Sequence, residues 1–477
     1  MNPVRSFFLI LLSLTMAGSA QESFDLVLEN GRVIDPESGF DEIRHVGILD
    51  GKIAAISKTA LSGKESIDAT GLVVAPGFID LHQHAWDADS VRFKIRDGVT
   101  SVFELEVGTD NVAAWYEKYA DKLPFNHGVA VGHVKVRMQV MGDFPSFLPK
   151  SDSKAATVEA SQEQLEELKL GIKRGLDEGA VAVGFGIAYT PAASRWEILE
   201  MFRVAAKYNA ACHVHIRTRR KASYEGVEEV IAAAAITGAE LQIVHLQATG
   251  ASATPRLLQM VSEARANGIK VSSEIYPYTA GMTDIKSAIF GEGWQENFQL
   301  DYGSLQWGAT GERLTKESFE NYRKTGGLVI VHSNTEEIVT NAIKHPTALI
   351  ASDGLKGHPR NAGTFARILG FYCRERGELD LMTALRKISL MPAQRLEARV
   401  PAMKNKGRCK IGADADLTLF DPDTVIDRAT FTDAEKMSSG IPFVIVDGAV
   451  VVRDSMIVSD VFPGKAIRAT QTKPVKK

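Results

Sequence analysis

Between residues 76 and about 400 the chain alternates strand-like runs with amphipathic helical ones, and this alternation restricts the fold more than any other feature. A helix between two strands returns the chain parallel to itself, so repeated units build a parallel sheet covered by helices. Strand-like runs fall at 78–81, 101–106, 128–134, 180–185, 211–215, 241–245, 270–274, 328–331 and 347–351. Helical periodicity covers 161–178, 194–208, 223–237, 254–267 and 381–388. The strand-like runs exceed the eight staves of a closed barrel by one, so one run is surplus or belongs to an excursion. The expected fold is α/β: a (β/α)8 TIM barrel over residues 76–400.

The two chain ends carry a different pattern. Short β runs occupy 24–29, 32–34, 46–49 and 52–56, with Asn30-Gly31 and Asp50-Gly51 read as turns. Asx-Gly between alternating apolar runs is a strong hairpin signal. Runs at 416–420, 442–446 and 449–453 echo them near the C-terminus. Together they predict one small composite β-sandwich domain, built from residues 21–75 and 401–462. The tail 463–477, ending in Lys473, Lys476 and Lys477, reads as disordered.

Residues 1–20 carry Arg5, an apolar run from Phe7 to Met16, and small residues up to Ala20. They read as a signal peptide cut after Ala20, which predicts a secreted or periplasmic protein. No later run reaches the ~18 apolar residues of a membrane span. A net charge of −4 with no basic stripe excludes nucleic acid and anionic membrane surfaces as expected partners. Cys212, Cys373 and Cys409 are too few and too scattered for a disulfide framework, and Cys212 reads as a buried small hydrophobe.

The chemistry concentrates at strand ends. Residues 75–84 read Ala-Pro-Gly-Phe-Ile-Asp-Leu-His-Gln-His, so a short hydrophobic run closes on His82 and His84. Residues two apart on a strand share a face, and both imidazoles can aim at one point. An isolated His-x-His more often just closes a strand; the rest of the chain reverses those odds. Glu104 and Glu106 follow at the second run, His133 lies in the third, His213 and His215 end the fifth, His245 ends the sixth, and Asp353 lies past the last. A parallel barrel delivers such residues to one rim. Zinc accepts nitrogen and oxygen ligands, lowers the pKa of a bound water to about 7 and polarises a carbonyl.

Further motifs recur: Gly98-Val99-Thr100-Ser101, Val131-Gly132-His133, Ala188-Tyr189-Thr190-Pro191, His215-Ile216-Arg217, Val244-His245-Leu246, Ser352-Asp353-Gly354 and His358-Pro359-Arg360. With Pro-Gly-Phe-Ile-Asp-x-His-x-His they make the chain resemble the amidohydrolase superfamily, within it the D-aminoacylase and N-acyl-D-glutamate deacylase-like subgroup. The resemblance implies a hydrolase that cleaves the amide bond of N-acyl amino acids, D-configured, with metal-activated water and one or two divalent ions, zinc by default. It implies His82 and His84 on one metal and His215 and His245 on the other. Asp353 would take a proton from the attacking water and return it to the leaving nitrogen. Tyr189 and Arg360 would belong to the substrate pocket, where an arginine fork suits a carboxylate.

Three departures from the subgroup stand out. Its Asn-Cys-Gly, whose cysteine ligates zinc, is replaced by Glu104-Leu105-Glu106-Val107-Gly108. An ungapped match puts Val107 at the cysteine position and a one-residue slip puts Glu106 there. Glu106 is taken as the ligand, because a carboxylate can bridge two metals, with Glu104 on the same face as the alternative. The substrate-contacting lysine of His-Leu-Lys is Gln247 here, a loss of charge that weakens the case for a free α-carboxylate. The segment 283–324 is shorter than the usual excursion over the site and would widen access.

His213 reads as a core or second-layer histidine, and Lys135 shares a face with His133 in the expected strand. His332 ends a strand-like run without a role, while His127, His345 and His358 fall near turns and read as solvated. Two other functions fit the same residues: hydrolysis of cyclic amides, lactones or carbamates, which Gln247 keeps open, and a non-catalytic binding protein, which the retained histidines and Asp353 oppose.

Overall fold

A computed structural model describes residues 23–470, so the signal-peptide reading of residues 1–20 lies outside the described residues. Eight parallel strands form the central barrel: Phe78–Asp80, Val99–Thr109, Asn126–Gly132, Ala182–Gly186, Ala211–His215, Leu241–Ile243, Val271–Ile275 and Ala348–Ile350. Each pairs with its sequence neighbour among these staves, and the first and last meet at the rim. There the Gly354 amide donates to His82 O (3.2 Å) and the His84 amide donates to Gly354 O (3.0 Å).

Helices cover the outer face for reasons visible in their spacing. In Gln162–Asp177 the buried residues Leu165, Leu168, Ile172 and Leu176 recur at three and four, so one stripe faces the barrel. Ser161 and Gln164 close a capping box at its start. On the stave Ala211–His215, Cys212 and Val214 join the core beneath the helices, and the alternation sends His213 and His215 inward.

The ninth strand-like run is the excursion. Leu328–His332 pairs antiparallel with Ala280–Asp284 and Leu305–Trp307 in a separate three-stranded sheet between the seventh and eighth staves. Val329 and Val331 pack with Ile285, Phe290, Trp294 and Phe298 in a cluster that continues into Val107 and Tyr189 at the barrel mouth.

The chain ends form one nine-stranded sheet, where Val73–Pro76 pairs antiparallel with Leu417–Phe420. Its β-sandwich core joins Leu26, Leu28, Ile48 and Val74 to Leu417, Leu419 and Ile445. Asp416 ties this domain to the barrel: its carboxylate accepts from Asn126 Nδ2 (2.9 Å) and the buried Lys406 ammonium (2.6 Å), and its carbonyl accepts from the Gly77 amide (2.8 Å).

Three local expectations need correction. Asn30-Gly31 is not a turn: Phe24–Asp35 runs through it as one strand, with Asn30 at φ 59° and a register shift between Leu28 and Gly31. The strand changes partners there, from Gly63–Asp68 to Val73–Pro76, and a bulge accommodates the change. His133 is not in a strand; it opens the helix His133–Met141 after the third stave ends at Gly132. Lys135 lies on that helix and donates to Ser146 O, so it does not share a strand face with His133.

The tail expected to be disordered is ordered as far as Thr470, residues 471–477 lying outside the described set. Ile467 N donates to His127 O (2.7 Å), Ala469 N to Gly179 O (3.0 Å) and the Tyr116 hydroxyl to Ile467 O (2.6 Å). Distant barrel residues supply these partners, which local sequence does not reveal. Among the described residues no helix is long and apolar enough to cross a membrane. Deleting residues 463–477 is expected to cost about 3 to 6 kcal/mol, from roughly 1 kcal/mol per lost hydrogen bond plus exposed apolar area. A calorimetric midpoint unchanged by that deletion would restore the disordered reading.

Candidate metal centre and active site

Four histidines and two carboxylates from five stave ends converge at the rim. Glu106 stands between them. Its Oε2 lies 2.8 Å from His82 Nε2 and 3.1 Å from His84 Nε2, while its Oε1 lies 2.8 Å from His215 Nδ1 and 3.5 Å from His245 Nε2. Asp353 Oδ1 adds to the first pair, 3.5 Å from His82 Nε2 and 3.3 Å from His84 Nε2. Two groups thus share one carboxylate: His82, His84, Glu106 and Asp353, and Glu106, His215 and His245.

The backbone explains how Glu106 reaches this position. The stave Val99–Thr109 shifts register between Glu104 and Thr109, with Gly108 at φ 61°, and leans across the barrel mouth. Two glycines on the next staves let it pass. A Cβ on Gly132 would stand 1.8 Å from Val107 O, and one on Gly184 would stand 2.2 Å from Glu106 O. His245 (φ 32°) and Asp353 (φ 50°) both take left-handed backbone as their chains leave the barrel, a conformation costly for such residues and concentrated at functional sites.

A second layer of carboxylates orients the first histidine pair. His82 Nδ1 donates to Glu274 Oε1 (2.5 Å) and His84 Nδ1 donates to Glu104 Oε2 (2.8 Å). That arrangement turns both Nε2 lone pairs toward the same point, 3.0 Å apart, beside two acidic oxygens. Electron-pair donors converge there with no intervening apolar group, the donor set of a divalent cation. Glu104, the alternative ligand, faces His84 Nδ1 rather than the point where the two Nε2 atoms meet.

The electrostatics agree. Burial would raise the Glu106 carboxyl, but the His82 charge and the hydrogen bonds of His215 and His245 outweigh it and hold the group well below the usual carboxylate range. Burial would likewise raise Asp353; the Arg360 and His82 charges prevail and keep it ionised. With no ion bound, the surrounding carboxylates overcome burial and hold His82 and His84 well above the ordinary histidine value, so a cation taking the Nε2 lone pairs displaces a proton from each ring. His215 is pushed down to about 4 by burial and the neighbouring His245, so its imidazole is neutral at pH 7.

The excursion contributes to the cavity above this cluster: Met282, Thr283, Ile289, Phe298 and Val331 line it with Tyr189, Tyr276 and Arg219. Tyr189 packs edge-on against His215 at 4.9 Å, with its hydroxyl 3.2 Å from Thr283 Oγ1. Two expected substrate contacts are not in the cavity wall. Gln247 is fully buried on the short helix Leu246–Gly250, its amide donating to Tyr276 O (3.0 Å). Arg360 is buried behind Asp353, Nη1 2.9 Å from Asp353 Oδ2 and the guanidinium 4.6 Å from the Tyr276 ring. It reaches the reacting region through Asp353.

The remaining histidines have other surroundings. His133 pairs with buried Glu197 (2.7 Å), which Arg137 also engages. His213 is a core residue one layer below His215, and among the described residues neither of its ring nitrogens has a partner. His332 faces Gln306 Oε1 (2.9 Å) within the excursion. His127 and His358 are buried rather than solvated, on a stave and against the Ala280 carbonyl respectively. Cys212 is a buried free thiol, as its apolar neighbours imply. Glu274 and Arg219 lie outside every motif named above, although Glu274 ends a stave run and Arg219 lies four residues past His215.

The model of the amidohydrolase family designated Amidohydro_3 matches residues 65–452. The N-acyl-D-glutamate deacylase of Alcaligenes xylosoxydans xylosoxydans is 30% identical over 483 residues, covering 90% of this chain and 94% of the relative. The D-aminoacylase of the same organism is 28% identical over 483 residues, covering 91% and 96%. The N-acyl-D-glutamate deacylase of Bordetella bronchiseptica, solved with zinc and a phosphonate mimic of the tetrahedral intermediate, superposes with a TM-score of 0.81 at 26% identity. That likeness covers 94% of this chain and 100% of the other. Barrel, rim cluster and family match agree: the chain belongs to the amidohydrolase family.

Proposed function

We propose that the protein hydrolyses the amide bond of N-acyl amino acids, D-configured, in a metal-dependent reaction. The observation that carries this reading is the Glu106 carboxylate, one oxygen toward each histidine pair, with Asp353 beside the first pair. His82, His84, Glu106 and Asp353 would hold one ion and His215, His245 and Glu106 a second, with zinc favoured by the nitrogen and oxygen donors. Bound there, such an ion supplies Lewis acidity to an amide carbonyl and lowers the pKa of a water molecule.

Asp353 moves the proton. Arg360 fixes its Oδ2, leaving Oδ1 toward the histidines at the cavity floor. As an ionised carboxylate it takes a proton from the attacking water and delivers it to the nitrogen that leaves. Tyr189 and Tyr276, kept protonated by burial, present phenolic donors on the wall, and Ile289, Phe298 and Val331 of the excursion add apolar surface above the cluster. Hydrolysis of cyclic amides drew its support from the lost lysine at Gln247; since that side chain is not in the cavity wall, the support lapses. Export to the periplasm or medium is part of the proposal and rests on residues 1–20.

Release of free amino acid from N-acetyl-D-amino acids by the zinc-loaded protein, and its absence with the L-isomers, is the direct test. A fully loaded protein that releases nothing from either series would refute the deacylase reading. Asp353→Asn should lower turnover about 10²- to 10⁴-fold while the metal stays bound; retained activity would remove Asp353 from the proton path. Gly184→Ala should push Glu106 out of the cluster, so metal content falls while circular dichroism stays folded. Unchanged metal content in that variant would mean that the close passage does not position Glu106.

A further inference from the structure

We propose that Arg219 is the receptor for the substrate carboxylate, an inference that rests on the deacylase reading above. Arg219 is the single lysine or arginine among the cavity-lining residues. Among the described residues its guanidinium has no carboxylate partner, whereas Arg217, two residues earlier, is closed on Glu229 by two hydrogen bonds of 2.9 and 2.6 Å. Of the residues at the positions expected to serve this role, Arg360 stands behind Asp353 as its ion-pair partner and off the cavity wall, and residue 247 is an uncharged glutamine outside the cavity.

Position supports the assignment as strongly as charge does. The Arg219 guanidinium stacks on the ring of Phe298 at 4.2 Å, so the excursion holds it over the cavity. Its Nη2 lies 3.5 Å from His215 Nε2, and the other ring nitrogen, Nδ1, lies 2.8 Å from Glu106 Oε1. One imidazole therefore separates the free cation from the shared carboxylate. In an N-acyl amino acid the carboxylate carbon stands two bonds, about 2.5 Å, from the scissile nitrogen. An amide group over the Glu106 cluster leaves its carboxylate within reach of a cation one ring further out. A partly desolvated guanidinium without an anion loses hydration with no return, and a substrate carboxylate restores it through a planar two-point contact. Phe147, Ile289, Val331 and Leu355 add apolar surface to the wall beside Thr283 and Ser333, and suit an aliphatic side chain.

The test compares N-acetyl-D-leucine with its neutral carboxamide, N-acetyl-D-leucinamide, on zinc-loaded wild type, Arg219→Met and Arg219→Lys. Arg219→Met should lower kcat/KM for the acid about 10- to 100-fold, mostly through KM, and leave the carboxamide within about threefold; Arg219→Lys should recover part of the loss. The acid-to-amide ratio is insensitive to partial loss of metal or folded protein, because both substrates meet the same enzyme population. Equal losses on both substrates would make Arg219 structural, and an unchanged acid would place the carboxylate elsewhere; either overturns the proposal while deacylation stands. No turnover of the acid by loaded wild type would overturn deacylation itself, and this proposal with it.

Discussion

A buried carboxylate that offers one oxygen to each of two histidine pairs is the contact that the rest of this barrel is arranged to hold. Glu106 is almost inaccessible to solvent, and an ionised group so placed costs several kcal/mol unless it is fully paired. The pairing needs its backbone to lean over the barrel mouth, which needs Gly132 and Gly184 beneath it. It needs His82 and His84 aimed inward, which Glu274 and Glu104 secure from behind. Sequence, backbone path and electrostatics meet at this one side chain.

The barrel seam serves the same end. Asp80, on the first stave, accepts from the Ser352 amide (2.9 Å) and hydroxyl (2.6 Å), and Lys94 bridges Asp80 (2.9 Å) and Ser352 (2.7 Å). The residue before Asp353 is therefore fixed to the stave that carries His82. Arg360 then anchors Asp353 itself from behind. The aspartate in Pro-Gly-Phe-Ile-Asp-x-His-x-His is thus a positioning residue: it ties the strand end that carries Asp353 to the stave before the first histidine pair.

Much of this was legible in the sequence because strand periodicity is simple. A period of two places His82 with His84 and His213 with His215 on one face, and a parallel barrel puts such faces at one rim. Glu106 stood out in the sequence because the subgroup's cysteine is missing there, and the structure sets it between the two histidine pairs. What the sequence hid depends on partners far along the chain. Asn30-Gly31 has the same local chemistry whether it makes a turn or a bulge; a change of neighbouring strand decides. His127 and His358 lie near turn-like residues but are buried by elements distant in sequence. Residues 463–470 show no periodicity, since backbone bonds to the barrel hold them. Arg360 and Gln247 bear the expected motifs but face Asp353 and the Tyr276 carbonyl, whereas Arg219, outside those motifs, faces the cavity.

Elemental analysis of the purified protein beside Glu106→Ala addresses the shared carboxylate most directly. The wild type should carry about two divalent ions per chain, falling to one or none in the variant, because Glu106 belongs to both ligand groups. A metal content that Glu106→Ala leaves unchanged would contradict the account, making the glutamate a structural group beside a centre built by the histidines and Asp353 alone.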